Sequence, residues 1–347
     1  MLDSYATGRQ KIMNNYIDPN LPLIDLHRHL DGSVRLETIL GLGRQHNLPL
    51  PAYDLEGLRP FVQVTTPVPG ILAFFEKFKW QIGVLVDYDA CYRVAYENVE
   101  DAVNEGIDYI ELRFSPWFMA EPNGLNPAGV VEAVVAGVAA ACKDFDIKVN
   151  LIGIISRTYG AEIGQKELDA LLTQKDHLVA LDLAGDEVNF PGEWFVDHFK
   201  QGRDAGWQIT VHAGEEGGAP AIRQAIRELG ATRIGHAIAA PQDPALMDFL
   251  AEQRIGIEMN LTSNVQTSAV PSYTGHPITA MLDHGILTTI NTDDPGISGI
   301  DLPHEYRVAV DKVGLSRAQV SQAQRNALDI AFLSPVEKEA LLEGIRQ

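Results

Sequence analysis

KVNLIGIISRTYGAEIGQKELDALLTQKDHLVALDLAG, residues 148–185, decides the architecture. Its two ends, KVNLIGIISR (148–157) and LVALDLAG (178–185), are short runs of almost continuous apolar character, and a longer helix-like segment separates them. Alternation would mark a strand with one wet face, whereas a continuous run marks a strand covered on both faces, as in a parallel sheet with helices outside. The same unit recurs on either side. LPLIDLH (21–27) and DYIELRFS (108–115) precede it, and WQITVHAG (207–214), RIGHA (233–237), RIGIEMNLTSN (254–264) and GILTTINTDD (285–294) follow. Helical stretches lie between them, among them residues 89–106, 126–145, 193–206 and 219–230, and several end at Gly, which tolerates the left-handed conformation after a helix. Eight strand-helix units predict an α/β chain folded as a closed (β/α)₈ TIM barrel. An open doubly wound sheet more often brings a Gly-rich phosphate loop after its first strand, and neither GxGxxG nor GxxxxGK[ST] occurs.

The gap after the first strand, about residues 28–107, is too long for one crossover helix. LETILGLGRQ (36–45) and PGILAFFEKFKW (69–80) are amphipathic, so a helical insert is expected over about residues 31–88. Phe74, Phe75, Phe78 and Trp80 either close the outside of the barrel or form a lid. No linker or repeat divides the chain, so residues 21–347 are expected to be one hydrolase barrel domain with extra C-terminal helices, behind an N-terminal arm at 1–20.

Composition is that of a globular protein: 347 residues, 46% hydrophobic and 21% charged, with 30 Gly and 19 Pro. The 27 basic against 47 acidic residues, a formal charge of −20, would repel phosphate backbones and anionic lipid, which disfavours nucleic-acid and membrane partners. Two distant cysteines, Cys91 and Cys142, suggest neither a disulfide framework nor a thiolate metal site. The polar first twenty residues lack the apolar core of a secretory signal, and a cytoplasmic location is expected.

In a barrel of this kind, catalytic groups sit at the carboxyl ends of the strands, and here those ends are rich in metal ligands. The first finishes Asp25-Leu26-His27-Arg28-His29, where alternation places His27 and His29 on one face. The fifth gives His212-Ala213-Gly214-Glu215, the sixth Gly235-His236, and the eighth Asn291-Thr292-Asp293-Asp294-Pro295. Imidazoles and carboxylates without thiolate suit a catalytic Zn²⁺ with one position open for water. Glu215, just past its strand, is placed to act as a proton donor, His236 to take a proton from the attacking water, and Asp294 to hydrogen-bond the nucleophile or substrate. His46, His177, His198, His276, His284 and His304 fall away from the strand ends and read as surface or packing residues.

His27-x-His29-x-Asp31-Gly32, His212-Ala-Gly-Glu215, Gly235-His236 and Asn291-Thr-Asp-Asp294-Pro295, in this order, resemble the adenosine deaminases of the amidohydrolase superfamily. SPWFMA (115–120), SRTYG (156–160) and DLAGDE (182–187) fit as well, so the resemblance runs from about Leu21 to the C-terminal helices. It implies one Zn²⁺ per chain, held by His27, His29, His212 and Asp293. Glu215 would protonate N1 of the purine while His236 and Asp294 orient the attacking water. Gly185 would contact N3 and Asp31 the ribose 5′-hydroxyl, with His29 and Asp294 also touching substrate. The implied partner is a small-molecule purine nucleoside, adenosine or 2′-deoxyadenosine, deaminated in purine salvage. The alternatives are deamination of adenine or another 6-aminopurine, against which Asp31 stands where relatives acting on adenine commonly carry Glu, and a nucleoside-binding protein without catalysis. Two positions depart from the family pattern: Ala237 stands where Gly is usual, and Met259-Asn260 replaces a segment that often carries Cys.

Overall fold

The eight apolar runs are strands: β1 (Ile24–His29), β2 (Tyr109–Phe114), β3 (Lys148–Ser156), β4 (Leu178–Ala184), β5 (Gln208–Ala213), β6 (Arg233–His236), β7 (Gly256–Met259) and β8 (Leu287–Ile290). They belong to a computed structural model that describes residues 16–346, so residues 1–15 of the expected N-terminal arm lie outside the described residues. All seven consecutive pairs are parallel, in chain order. The sheet closes just beyond β8, where Asp293 donates its N–H to the His27 carbonyl and accepts from the His29 N–H, both at 2.8 Å. Asn291 extends the seam by accepting the Leu26 N–H through its side chain at 3.0 Å. The result is a (β/α)₈ barrel.

Two strands are shorter than their apolar runs. After β7 the expected strand turns at Asn260 into a helix, Leu261–Gln266. After β8 the chain leaves the sheet, and Asp293 takes a positive φ of 63°. In both places the polar end of the run bends away from the pleat at the barrel mouth.

β1 carries a bulge. Ile24 and Asp25 pair with Tyr109 and Ile110, but Arg28 and His29 pair with Leu112 and Arg113, so two residues of β1 face one of β2. Such a bulge re-aims the side chains beyond it. Ile24 and Leu26 pack inside the lower barrel with Tyr109 and the C-terminal Ala327, Leu328 and Ala331. Past the bulge, His27 and His29 face inward, while Arg28 reaches outward to Glu105 at 2.7 Å.

Five helices fill the span between β1 and β2: Leu36–Gln45, Leu55–Val62, Ile71–Phe75, Phe78–Gly83 and Tyr88–Glu105. The amphipathic stretch at 69–80 is two short helices, and its rings face the mouth. Phe78 meets Phe74, Phe75 and Phe118 edge-on, at ring separations of 6.1, 5.9 and 5.3 Å. Of the two readings of these phenylalanines, the structure favours the lid, whereas Trp80 packs on the main core. The segment is tied down by Val68 N–H to Gln266 O at 2.8 Å and Gly70 N–H to Thr267 O at 3.0 Å. At the other end, helix Arg317–Ile330, opened by a Ser316–Gln319 capping box, packs its residues under the barrel. Among the described residues, no single helix is long and apolar enough to cross a membrane.

Candidate metal centre and active site

Four side chains from three separate strand ends converge. One donor atom each from His27, His29, His212 and Asp293 lies within 4.8 Å of every other, and all four residues are buried. His27 Nε2 is 3.0 Å and His29 Nε2 3.4 Å from Asp293 Oδ1, and the Nε2 atoms of His29 and His212 are 3.1 Å apart.

Whether a cation fits is decided by the outer nitrogens. His27 Nδ1 lies 2.7 Å from Glu258 Oε2, and His212 Nδ1 3.0 Å from Asp182 Oδ2. A carboxylate accepts, so each Nδ1 must donate, and each Nε2 is left with an inward-facing lone pair. Lone pairs of His27 and His212, with the Asp293 carboxylate, then share one buried space, and His27 Nε2 has no hydrogen-bond partner among the described residues. Only a cation satisfies such a set. Burial, against the opposing pull of the Asp182 carboxylate, holds His212 down at about 3, so it is a neutral ligand at neutral pH. The donor set, three imidazoles and one carboxylate without thiolate, suits a divalent metal ion.

The carboxylates behind the histidines are themselves held. Arg113 bridges Asp182 and Glu258 at 2.8 and 2.7 Å, and Arg233 and the Thr210 hydroxyl bind the other oxygen of Glu258 at 2.7 and 2.8 Å. Tyr109, Glu111, Asn150 and Phe332 continue the network to the barrel floor. Sequence reading missed this ring. Its one available signal was a charged residue inside an apolar strand, as in Glu111 and Arg113 of DYIELRFS and Glu258 of RIGIEMNL.

Above the ligands is a cavity of about 300 Å³ whose lining includes Asp31, Gly185, Glu215, His236 and Asp294, together with the lid phenylalanines. Every candidate site residue named from sequence therefore lies in or against one space. His236 Nε2 is 3.7 Å from Glu215 Oε2 and 3.8 Å from Asp293 Oδ2. Burial lowers the pKa of His236, leaving a neutral base, and the amide of Asn264 at 2.8 Å from Nδ1 fixes its ring. Burial, with the charges of Asp293, Glu187 and Glu216, raises Glu215 well above its usual value, which favours its protonated form. Asp294 is raised likewise, and its Oδ1 has no partner among the described residues. Gly32 makes room for it: a Cβ at that position would come within 1.7 Å of Asp294 Oδ1. Asp31 accepts the Ser115 N–H through Oδ2 at 3.0 Å, leaving Oδ1 toward the cavity side of His29.

Both departures from the family pattern fall beside His236. Ala237 and His236 have positive φ of 51° and 65°, and the Asn260 amide lies 3.4 Å from His236 Nε2.

A parallel barrel with a buried three-His, one-Asp cluster and a carboxyl group facing the cavity over it has the make-up of a metal-dependent hydrolase. The adenosine deaminase family model matches residues 22–347. The chain is 60% identical over 330 residues to an adenosine deaminase of Vibrio parahaemolyticus, covering 95% of this chain and 99% of that one, and 60% identical over 323 residues to one of Aliivibrio fischeri, covering 93% and 97%. The chain belongs to the adenosine deaminase family. Among solved structures, an adenine deaminase from Arthrobacter aurescens superposes with a TM-score of 0.87 at 25% identity, covering 94% of this chain and 98% of that one. An N6-methyl-AMP deaminase from Arabidopsis thaliana superposes with a TM-score of 0.80 at 27% identity, covering 94% and 97%.

Proposed function

We propose that this chain is a cytoplasmic purine-salvage enzyme that converts adenosine, and 2′-deoxyadenosine, to inosine or deoxyinosine and ammonia by hydrolysis, with Zn²⁺ held by His27, His29, His212 and Asp293. The observation that carries this reading is the placement of Glu215 and His236, 3.7 Å apart, on one cavity over the four-ligand cluster. The 60% identity to adenosine deaminases over nearly the full chain supports the choice of substrate.

Bound Zn²⁺ supplies a Lewis acid that brings the pKa of water at its open position to about 7. The protein does the rest. Glu215 donates its proton to N1, drawing electron density from C6. His236 takes a proton from the attacking water, and Asp294 orients that water by hydrogen bonding. As the C6–N bond breaks, the proton on His236 passes to the departing nitrogen, which leaves as ammonia, and the C6 hydroxyl proton returns to Glu215. The N1 proton stays on the product, so the single water is fully accounted for. Gly185 and Asp31 hold the purine and the 5′-hydroxyl, and the apolar lid excludes bulk water.

Adenine is the competing substrate, and the adenine deaminase superposition keeps it in view. Ammonia release from adenosine, 2′-deoxyadenosine and adenine, measured side by side, decides. Both nucleosides should turn over far faster than adenine, and the reverse order would overturn the assignment. Metal analysis of the purified protein should find about one zinc per chain.

A further inference from the structure

Glu187 takes no part in the reaction described above, yet its buried carboxylate is committed to the turn that carries Glu215. Oε2 accepts the Gly214 N–H at 3.0 Å, and Oε1 accepts the N–H groups of Glu216 and Gly217, the latter at 2.5 Å. Three of four consecutive amides in the turn converge on one carboxylate, and the one left out is that of Glu215.

The arrangement has a directional consequence. β5 ends at Ala213, Gly214 takes a φ of +75°, and the next helix starts at Gly218, so the turn must aim two adjacent carboxylates in opposite directions. Glu215 points into the cavity. Glu216 points out, where its Oε1 accepts the Ile71 N–H at 3.2 Å, at the start of the lid helix. A short turn bounded by two glycines, Gly214 and Gly217, has little stiffness of its own. Charge-assisted bonds from a residue after β4, a different strand end, supply the stiffness.

We propose that Glu187 is a positioning residue for the proton donor: its carboxylate grips the Gly214–Gly217 turn and so sets the aim of Glu215 at the substrate. The proposal rests on the reading of Glu215 as the acid. Glutamine at 187 is nearly isosteric, but it offers only one acceptor oxygen and presents an NH₂ to amides that also donate. The turn then loses its grip without loss of volume.

A double-mutant cycle separates positioning from mere structural support. Wild type, Glu187→Gln, Glu215→Gln and the double variant are compared for kcat and KM with adenosine, zinc content and thermal midpoint. Misplacement of a reacting group by about 1 Å costs up to roughly 10²-fold, so Glu187→Gln should lose at least about tenfold in kcat, with KM and zinc content close to wild type. In the Glu215→Gln background the same change should cost less than about twofold, because there is no donor left to aim. Should Glu187→Gln fail to fold, Gly217→Ala probes the same contact. A Cβ there would meet the Glu187 carboxyl at 3.0 Å, while the residue's own φ of −79° suits alanine, and the same pattern is expected. Full kcat in the variant that folds, a loss confined to KM, or an equal loss in both backgrounds would overturn the proposal. Wild type that releases no ammonia from adenosine, or Glu215→Gln at full rate, would instead remove the underlying reading of the acid, and the proposal with it.

Discussion

His27 on β1 and Glu258 on β7 are joined across the barrel by a 2.7 Å contact between Nδ1 and Oε2, both side chains fully excluded from solvent. The pair fixes which imidazole nitrogen carries the proton, and hence which one offers a lone pair to a metal. Asp182 does the same for His212 at 3.0 Å. Because Arg113 bridges both carboxylates, the two histidines share one support.

Removing that support should weaken the metal site. Glu258→Gln is expected to lower zinc affinity by about 10- to 100-fold, measured by competition with a chelator. Unchanged affinity would mean that Glu258 serves only the packing of the barrel.

Glu215→Gln removes the donor and leaves the ligands. It should retain one zinc per chain and lose roughly 10²- to 10⁴-fold in kcat with adenosine. A normal rate would show that another group protonates the purine.

Asp31→Ala should discriminate between substrates. Loss of a hydrogen bond to a charged group is worth about 1.5–3 kcal/mol, or roughly 10- to 100-fold in kcat/KM for adenosine. Any residual activity on adenine, which has no ribose, should change far less. Equal losses on both would remove the ribose contact.

Glu167, behind the cavity wall, gives a pH signature in stability. Burial pushes it up to about 8 from an ordinary 4.5, against the pull of hydrogen bonds from the Ser115 hydroxyl and the Ser156 and Trp117 N–H groups. Between those values the folded chain keeps a proton that the unfolded chain has lost, so the contribution of Glu167 to stability is greatest below about pH 4.5 and is lost as pH rises to about 8. Glu167→Gln removes the titration, and its thermal midpoint should fall less over that window than that of wild type. Parallel curves would refute the assignment.

Ala237, buried with φ of 51°, occupies a conformation that costs a residue with a Cβ about 1 kcal/mol or more. Ala237→Gly should therefore raise the denaturation midpoint, provided His236 keeps its own positive φ. A lower midpoint would show that the methyl group's packing outweighs the strain.

What the sequence determined by itself was the alternation of continuously apolar strands with helices, and the chemistry at the strand ends. Both are local: doubly covered strands need no polar face, and His27-x-His29, His212-x-x-Glu215 and Asp293-Asp294 announce ligands and proton carriers by residue type alone. Tertiary structure decided the rest. Alternation puts His27 and His29 on one face but does not say which, and the bulge in β1 turns that face inward. Lid or outer wall was equally open for Phe74, Phe75 and Phe78 until closure placed them over the cavity. The carboxylates of Asp182, Glu258 and Glu187 acquire meaning only across 29 to 231 residues of chain, where barrel closure, and no local pattern, brings a carboxylate to an imidazole or to a turn. Protonation states follow the same rule, since burial and neighbouring charge exist only once the eight strands have met.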